Sequence, residues 1–198
     1  MIAIIDYGVG NLFSLSCSLE HIGLECVITA DRDVIEKADK IILPGVGAFE
    51  DARKLLKKDN LDEFLISQAK SGKPFLGICL GMQLLFDKSF EYGEHEGLGL
   101  IKGEIRPIPT SLKIPHIGWN SLKFEKDDAL LKYINEGDFV YYVHSYCAVD
   151  CDESLVATSD YGARVVGIVR NANVCGTQFH PEKSGDVGLS ILKAFGEM

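Results

Sequence analysis

Basic residues are outnumbered: 20 Lys and Arg stand against 29 Asp and Glu, for a formal net charge of −9. No basic cluster interrupts that background, which argues against nucleic acid or an anionic membrane as the main partner. No apolar run approaches the ~20 residues needed to span a bilayer. The opening Met1-Ile-Ala-Ile-Ile-Asp6 has no basic leader and its apolar run stops at once, so it reads as a first strand and not a signal peptide. Paired cysteines are also lacking. Cys17, Cys26, Cys79, Cys147, Cys151 and Cys175 are scattered without a CxxC pair, and Cys147 and Cys151 find no His or second pair to complete a zinc pattern. The five histidines lack ligand spacing. The expectation is reduced thiols in a cytoplasmic protein with no metal and no cofactor. Repeats, low-complexity tracts and linkers are absent too, so residues 1–198 are expected to form one domain.

What is there is apolar content enough for a core. The 46% hydrophobic fraction in 198 residues predicts burial of about 70% of the unfolded surface. Over the first 90 residues, strands alternate with helices. Strands are expected at Ile2 to Ile5, Leu24 to Thr29, Lys40 to Leu43 and Phe75 to Ile78. Helices are expected over Leu12 to Ile22, Asp31 to Ala38 and from about Ala48. Another follows Asn60, where Asn60 and Glu63 resemble a capping box, and stops at Gly72. That rhythm predicts βαβ units: an α/β fold with a mixed, mainly parallel central sheet and flanking helices. After about Phe90 come turns, then short alternating stretches: Ile105 to Ile108, Ile117 to Phe124, Phe139 to Val149, Leu155 to Thr158, Val165 to Val169 and Val174 to Phe179. They read as a mainly antiparallel extension, closed by a helix near Val187 to Phe195. In such sheets ligands bind at the carboxyl ends of strands. Asp6-Tyr7-Gly8, Pro44 to Gly47 and Cys79 all stand at such ends.

Cys79 occupies a corner. The strand Phe75 to Ile78 precedes it, and Leu80, Leu84 and Leu85 recur behind it at helical spacing. Gly77 and Gly81 flank it, as in the G-x-nucleophile-x-G elbow of hydrolases. A strand turning abruptly into a helix strains the corner residue and crowds the neighbouring backbone, and the glycines relieve that crowding. The side chain then projects at a helix N-terminus, where a thiolate is stabilised. By itself Cys79 reads sooner as a small buried apolar residue, and its two glycines bring the readings level. A second constellation weighs against that. In Gly176-Thr-Gln-Phe-His-Pro-Glu182, Glu182 can turn back to His180, fix its tautomer and leave the other ring nitrogen as a base. Cys79, His180 and Glu182 are thus a candidate triad. Acyl transfer also needs donors aimed at the developing oxyanion. Leu80 N–H is one candidate, and the Pro44-Gly-Val-Gly47 turn supplies another from Val46 or Gly47.

Gly77-Ile-Cys-Leu-Gly-Met-Gln83, His180-Pro-Glu182 and Pro44-Gly-Val-Gly47 together resemble a class I, triad-type glutamine amidotransferase domain, over nearly the whole chain. The resemblance implies a flavodoxin-like fold and hydrolysis of the glutamine carboxamide to glutamate and ammonia. It implies that Cys79 attacks the carboxamide, that His180 carries protons and that Glu182 orients His180. It places Gln83, Glu91, Ser145 and Tyr146 on the substrate. Asp6-Tyr-Gly-Val-Gly-Asn11, Pro115-His-Ile-Gly-Trp-Asn120 and Tyr141-Tyr-Val-His-Ser-Tyr146 further resemble the glutaminase-subunit family of imidazole glycerol phosphate synthases, in histidine biosynthesis. That implies a heterodimer with a (β/α)8-barrel cyclase, which takes the ammonia and makes imidazole glycerol phosphate and an aminoimidazole carboxamide ribonucleotide. The chain runs 16 residues past Glu182 with no synthase domain on it, so a separate acceptor is expected. Asn11, Trp119, Asn120, Tyr141, Tyr142 and His144 are the candidates for the shared interface or for signalling across it.

A dinucleotide reading of Asp6 to Asn11 fails, because the third glycine of G-x-G-x-x-G would fall on Phe13. Other readings stay open. The chain could serve another synthase, for anthranilate or guanylate. It could be a cysteine hydrolase outside the amidotransferases, or a non-catalytic subunit that keeps the fold.

Overall fold

The computed structural model describes residues 1–198. In chain order the elements are β1 (Ile2–Ile5), α1 (Leu12–His21), β2 (Cys26–Thr29), α2 (Arg32–Lys37), β3 (Lys40–Leu43), α3 (Phe49–Lys57) and α4 (Leu61–Lys70). Then follow β4 (Phe75–Ile78), α5 (Leu80–Leu84), β5 (Phe86–Ser89), β6 (His95–Glu96), β7 (Ile101–Pro107), β8 (His116–Ser121) and β9 (Lys123–Phe124). The chain continues through β10 (Phe139–His144), β11 (Tyr146–Val149), β12 (Leu155–Asp160), β13 (Arg164–Asn171), β14 (Val174–Thr177) and α6 (Gly185–Gly196).

The main sheet runs β2-β1-β3-β4-β14-β13-β12-β9. Its first five strands are mutually parallel, and the last three continue it antiparallel. The inner parallel strands β1, β3, β4 and β14 are buried on both faces, while β2 forms a part-exposed edge. Their side chains alternate between two cores. Ala3 and Ile5 of β1 join Phe49, Leu56 and Leu65 from α3 and α4 on one side. Ile2 and Ile4 join Leu15, Leu19, Ile191 and Phe195 from α1 and α6 on the other.

The second half is more divided than its alternation suggests. Strands β11-β7-β5-β6 form a separate four-stranded sheet, and β10 pairs with β8 alone as a ribbon. The helix behind Cys79 is short: α5 has five residues, and Phe86 already starts β5, which pairs in parallel with β7. The expected capping box at Asn60 is not formed. Asn60 has φ 54° and makes no side-chain cap bond, since the chain enters α4 from a 3-10 turn at Lys58–Asn60. An N-cap needs an extended backbone to aim its side chain at the helix N–H groups. No helix is long and apolar enough to cross a membrane.

Candidate active site

Strand β4 delivers the chain to Cys79, whose φ of 55° and ψ of −111° lie where residues with a side chain rarely go. Holding a residue there costs of order 1–3 kcal/mol. The surroundings impose it. A Cβ at Gly77 would stand 2.6 Å from the Gly81 carbonyl oxygen, and one at Gly81 would collide with the Leu43 carbonyl oxygen. Strand, corner and helix can therefore meet only with glycine at both positions. Cys79 N donates to Thr177 O at 2.7 Å, and Cys79 O accepts from Gln83 N at 3.1 Å, which pins the corner between β14 and α5.

His180 arrives from the neighbouring strand. β14 lies parallel to β4, with Gly176 opposite Gly77 and Thr177 opposite Ile78, so the chain leaving β14 passes beside the elbow. His180 Nδ1 lies 2.8 Å from Glu182 Oε1, and that oxygen also accepts from Asn11 Nδ2 at 3.3 Å. The His180 and Glu182 side chains are both 3% exposed, so the pair sits largely out of water. A carboxylate oxygen only accepts, so Nδ1 carries a hydrogen. The other nitrogen, Nε2, is buried with no hydrogen-bond partner. Burial works against charge on this ring. Cys79 and Glu182 outweigh it and hold His180 above its ordinary pKa, although Nε2 and the sulfur have no formed bond between them.

Cys79 and His180 open on one cleft of about 350 Å³. Its wall also contains Val46, Gly47, Leu80, Gln83, Glu91, Ser145 and Tyr146, each singled out from sequence, and Pro115, Val143 and His144 complete it. The Pro44–Gly47 turn is held by Tyr7, whose hydroxyl donates to Pro44 O at 2.8 Å. Burial, reinforced by Cys79, pushes the Tyr7 phenol well above its usual range, so it stays a neutral donor. Gly47 has φ 98° and Val46 is exposed beside the elbow. Leu80 supplies the first N–H of α5, which has no intrahelical acceptor.

Gln83 Nε2 donates to Tyr146 O at 3.1 Å and to Gln178 Oε1 at 3.0 Å, leaving Gln83 Oε1 to the cleft. Glu91 Oε2 accepts from Phe49 N at 2.6 Å, covering the start of α3, so one of its oxygens is already committed. Gln178 escaped the sequence reading. It is fully buried, and its Nε2 lies 3.8 Å from Cys79 Sγ. A glutamine one residue past a strand carries no pattern that would mark it. His116 was missed too, and it touches the site through His144 at 3.0 Å.

Of the interface candidates, Trp119 is 55% exposed and meets Tyr141 edge-on at 6.1 Å between ring centroids. Asn11 is half-buried against Glu182, and Asn120 donates to Asp160 O. Tyr142 and His144 are buried, so neither can be a direct contact surface, and of the two expected roles only signalling from behind the interface is open to them. Along β10, Val140, Tyr142 and His144 face inward while Phe139, Tyr141 and Val143 face out. Tyr142 is completely buried with its hydroxyl 2.8 Å from Ser159 Oγ, and His144 backs the cleft.

The family model for class-I glutamine amidotransferases matches residues 3–196. A protein of Aquifex aeolicus named imidazole glycerol phosphate synthase subunit HisH is 53% identical, covering 97% of this chain and 94% of its own. One of the same name from Lactococcus lactis is 51% identical, covering 99% and 98%. Among solved structures, one titled glutamine amidotransferase superposes with a TM-score of 0.78 at 18% identity, covering 99% of this chain and all of its own, which speaks to the fold.

Proposed function

The chain belongs to the class-I glutamine amidotransferases, and from that premise we propose that it is the glutaminase subunit of an imidazole glycerol phosphate synthase. One observation carries the reading. A strained cysteine, a histidine tied to a carboxylate, and the Gln83, Ser145 and Tyr146 wall meet in one cleft from segments up to 103 residues apart in sequence, Cys79 to Glu182.

The arrangement supports a thiol-based route. Cys79 Sγ attacks the carboxamide carbon of glutamine, and the thiol proton passes to His180 Nε2. The carbonyl oxygen becomes an oxyanion, taken by Leu80 N–H and a donor from Val46 or Gly47. His180 then protonates the leaving nitrogen, the C–N bond breaks, and ammonia departs from a γ-glutamyl thioester. Water, deprotonated by His180 Nε2, attacks the thioester; the C–S bond breaks, and the same Nε2 returns the proton to the sulfur as glutamate leaves. Glu182 keeps the ring in the required tautomer throughout. Gln83 Oε1 and Glu91 face the amino-acid end of the substrate, where a carboxylate suits an ammonium. The Ser145–Tyr146 backbone faces its carboxylate.

Free ammonia is protonated in water near neutrality and loses its nucleophilicity. A cytoplasmic partner of the (β/α)8-barrel cyclase type, docked on the Trp119 and Asn11 side, would receive it directly. The test compares wild type with Cys79→Ala, each combined with such a cyclase, using glutamine or ammonium as the nitrogen source. Wild type is expected to support both, and the variant only added ammonium. Glutamate release that couples only to a chorismate-using or guanylate-forming synthase would move the chain to that synthase. Turnover indifferent to glutamine would remove it from nitrogen transfer altogether.

A further inference from the structure

Behind the Ser145–Tyr146 wall lies a buried chain of hydrogen bonds that plays no part in the steps above. His144 Nδ1 stands 2.8 Å from Tyr146 O, His116 Nδ1 stands 3.0 Å from His144 Nε2, and Asn120 Nδ2 stands 3.4 Å from His116 Nε2. His116 and His144 are 2% and 6% exposed. Each end of this chain fixes the protons independently. A carbonyl oxygen only accepts, so His144 Nδ1 carries a hydrogen. At the far end, Asn120 cannot be flipped, because its Oδ1 accepts from Ser121 N at 2.8 Å and its Nδ2 donates to Asp160 O at 2.8 Å. His116 therefore faces an amide NH2, and its Nε2 must be the bare acceptor. Working inward, His116 Nδ1–H donates to a bare His144 Nε2, and His144 Nδ1–H donates to Tyr146 O. The two ends demand the same assignment.

We propose that His116 and His144 are positioning residues, a one-directional relay of two neutral Nδ1–H imidazoles that sets the Tyr146 carbonyl and with it the Ser145–Tyr146 wall of the glutamine site. The proposal rests on the glutaminase reading for the identity of the substrate, but not for the relay itself. Burial keeps both rings neutral: it lowers His116 below its ordinary value and takes His144, against the opposing pull of the Tyr146 hydrogen bond, to about 4. Packing fixes the His116 ring, which is tilted 55° from that of His144. His116 is stacked between Tyr161 and Tyr142, with centroid separations of 3.9 and 4.7 Å and ring tilts of 20° and 21°. Tyr146 O is the junction, since Gln83 Nε2 donates to the same oxygen from the α5 side. The relay begins on β8 next to exposed Trp119 and ends in the cleft; the same ribbon also holds His180, whose N–H donates to Tyr141 O at 3.0 Å.

Two measurements test it. Long-range 1H–15N correlation spectra of the histidine-labelled full-length chain at pH 7 are expected to show both His116 and His144 as Nδ1–H tautomers. The Nε2–H form at either ring would break the relay and overturn the proposal. In the complex with its cyclase, His116→Phe keeps the stacked ring but has no nitrogen. It is expected to raise KM for glutamine about tenfold while kcat changes less than about threefold. His116→Gln can again offer an N–H to His144 and is expected to restore most of the loss. An unchanged KM in His116→Phe, or equal loss in both variants, would overturn the positioning role. If wild type releases no glutamate although both rings show the Nδ1–H form, the glutaminase reading falls and the relay stands.

Discussion

Glu182 illustrates how much a single side chain decides. Its Oε1 serves both His180 and Asn11, and its Oε2 is buried without a partner. Glu182→Gln preserves the shape but can present an NH2 to His180 Nδ1, which then surrenders its hydrogen. The tautomer inverts, and Nε2 can no longer accept the thiol proton. Glutamine turnover is expected to fall about 10²–10⁴-fold, measured as glutamate release in the complex, with ammonium-driven synthesis untouched. His144 allows a prediction about stability. Its folded pKa of about 4 lies below the unfolded value, so the unfolded chain binds a proton that the folded chain refuses. Stability therefore rises with pH between about 4 and 6.5, by about 3 kcal/mol across that window. Urea midpoints at successive pH values should slope upward there, and His144→Gln should flatten the slope.

Among the elements, the elbow of β4 and α5 was legible in the sequence, because only glycine at 77 and 81 lets strand and helix meet. Gly81→Ala is expected to prevent that meeting, costing several kcal/mol or the fold itself, as read by urea melts and loss of soluble protein. The parallel half was legible for a related reason, since uninterrupted apolar strands spaced by amphipathic helices have few other solutions. The division of the second half into three pieces was not. Strands β8 and β10 alternate as an extension of the main sheet would, and only tertiary pairing sets the ribbon apart. Asn60 was misread because a capping signature says nothing of the φ with which the chain arrives. The tie between α3 and α4 was equally invisible. Arg53, buried with Asp62 at 3.2 Å, also donates to Glu96 O at 2.8 Å, from residues too far apart to suggest a pair. Removing only the carboxylate in Asp62→Ala strands a buried cation. It is expected to destabilise by about 3–5 kcal/mol in the same urea assay.

For the molecule as a whole, the cleft stands at the carboxyl ends of β4 and β14, and the exposed Trp119 lies on the ribbon beside it. The site residues were legible where chemistry restricts them to one or two amino acids, as at Cys79, His180 and Glu182. The surface was less so, since an aromatic residue on a strand packs inward or outward according to a phase that one register step inverts. Tyr141 and Tyr142 show both outcomes side by side. Trp119→Ala is expected to leave the melting curve within about 1 kcal/mol of wild type and to weaken binding to the cyclase about 10–100-fold, measured by titration calorimetry.

The place of β14 in the sheet has a bearing on how the protein is made. It follows every other strand in the chain, yet it is inserted between β4 and β13 near the middle of the main sheet. A ribosome that has released only the first 170 residues has made the nucleophile strand but neither the histidine nor the strand that carries it. The nascent chain cannot consume glutamine, and the open flank of β4 waits as an unpaired, apolar edge until β14 closes it. Assembly of the core and the arrival of activity are thus one event, late in synthesis, and a chain stalled before that point is a hazard for aggregation instead of a leaking enzyme.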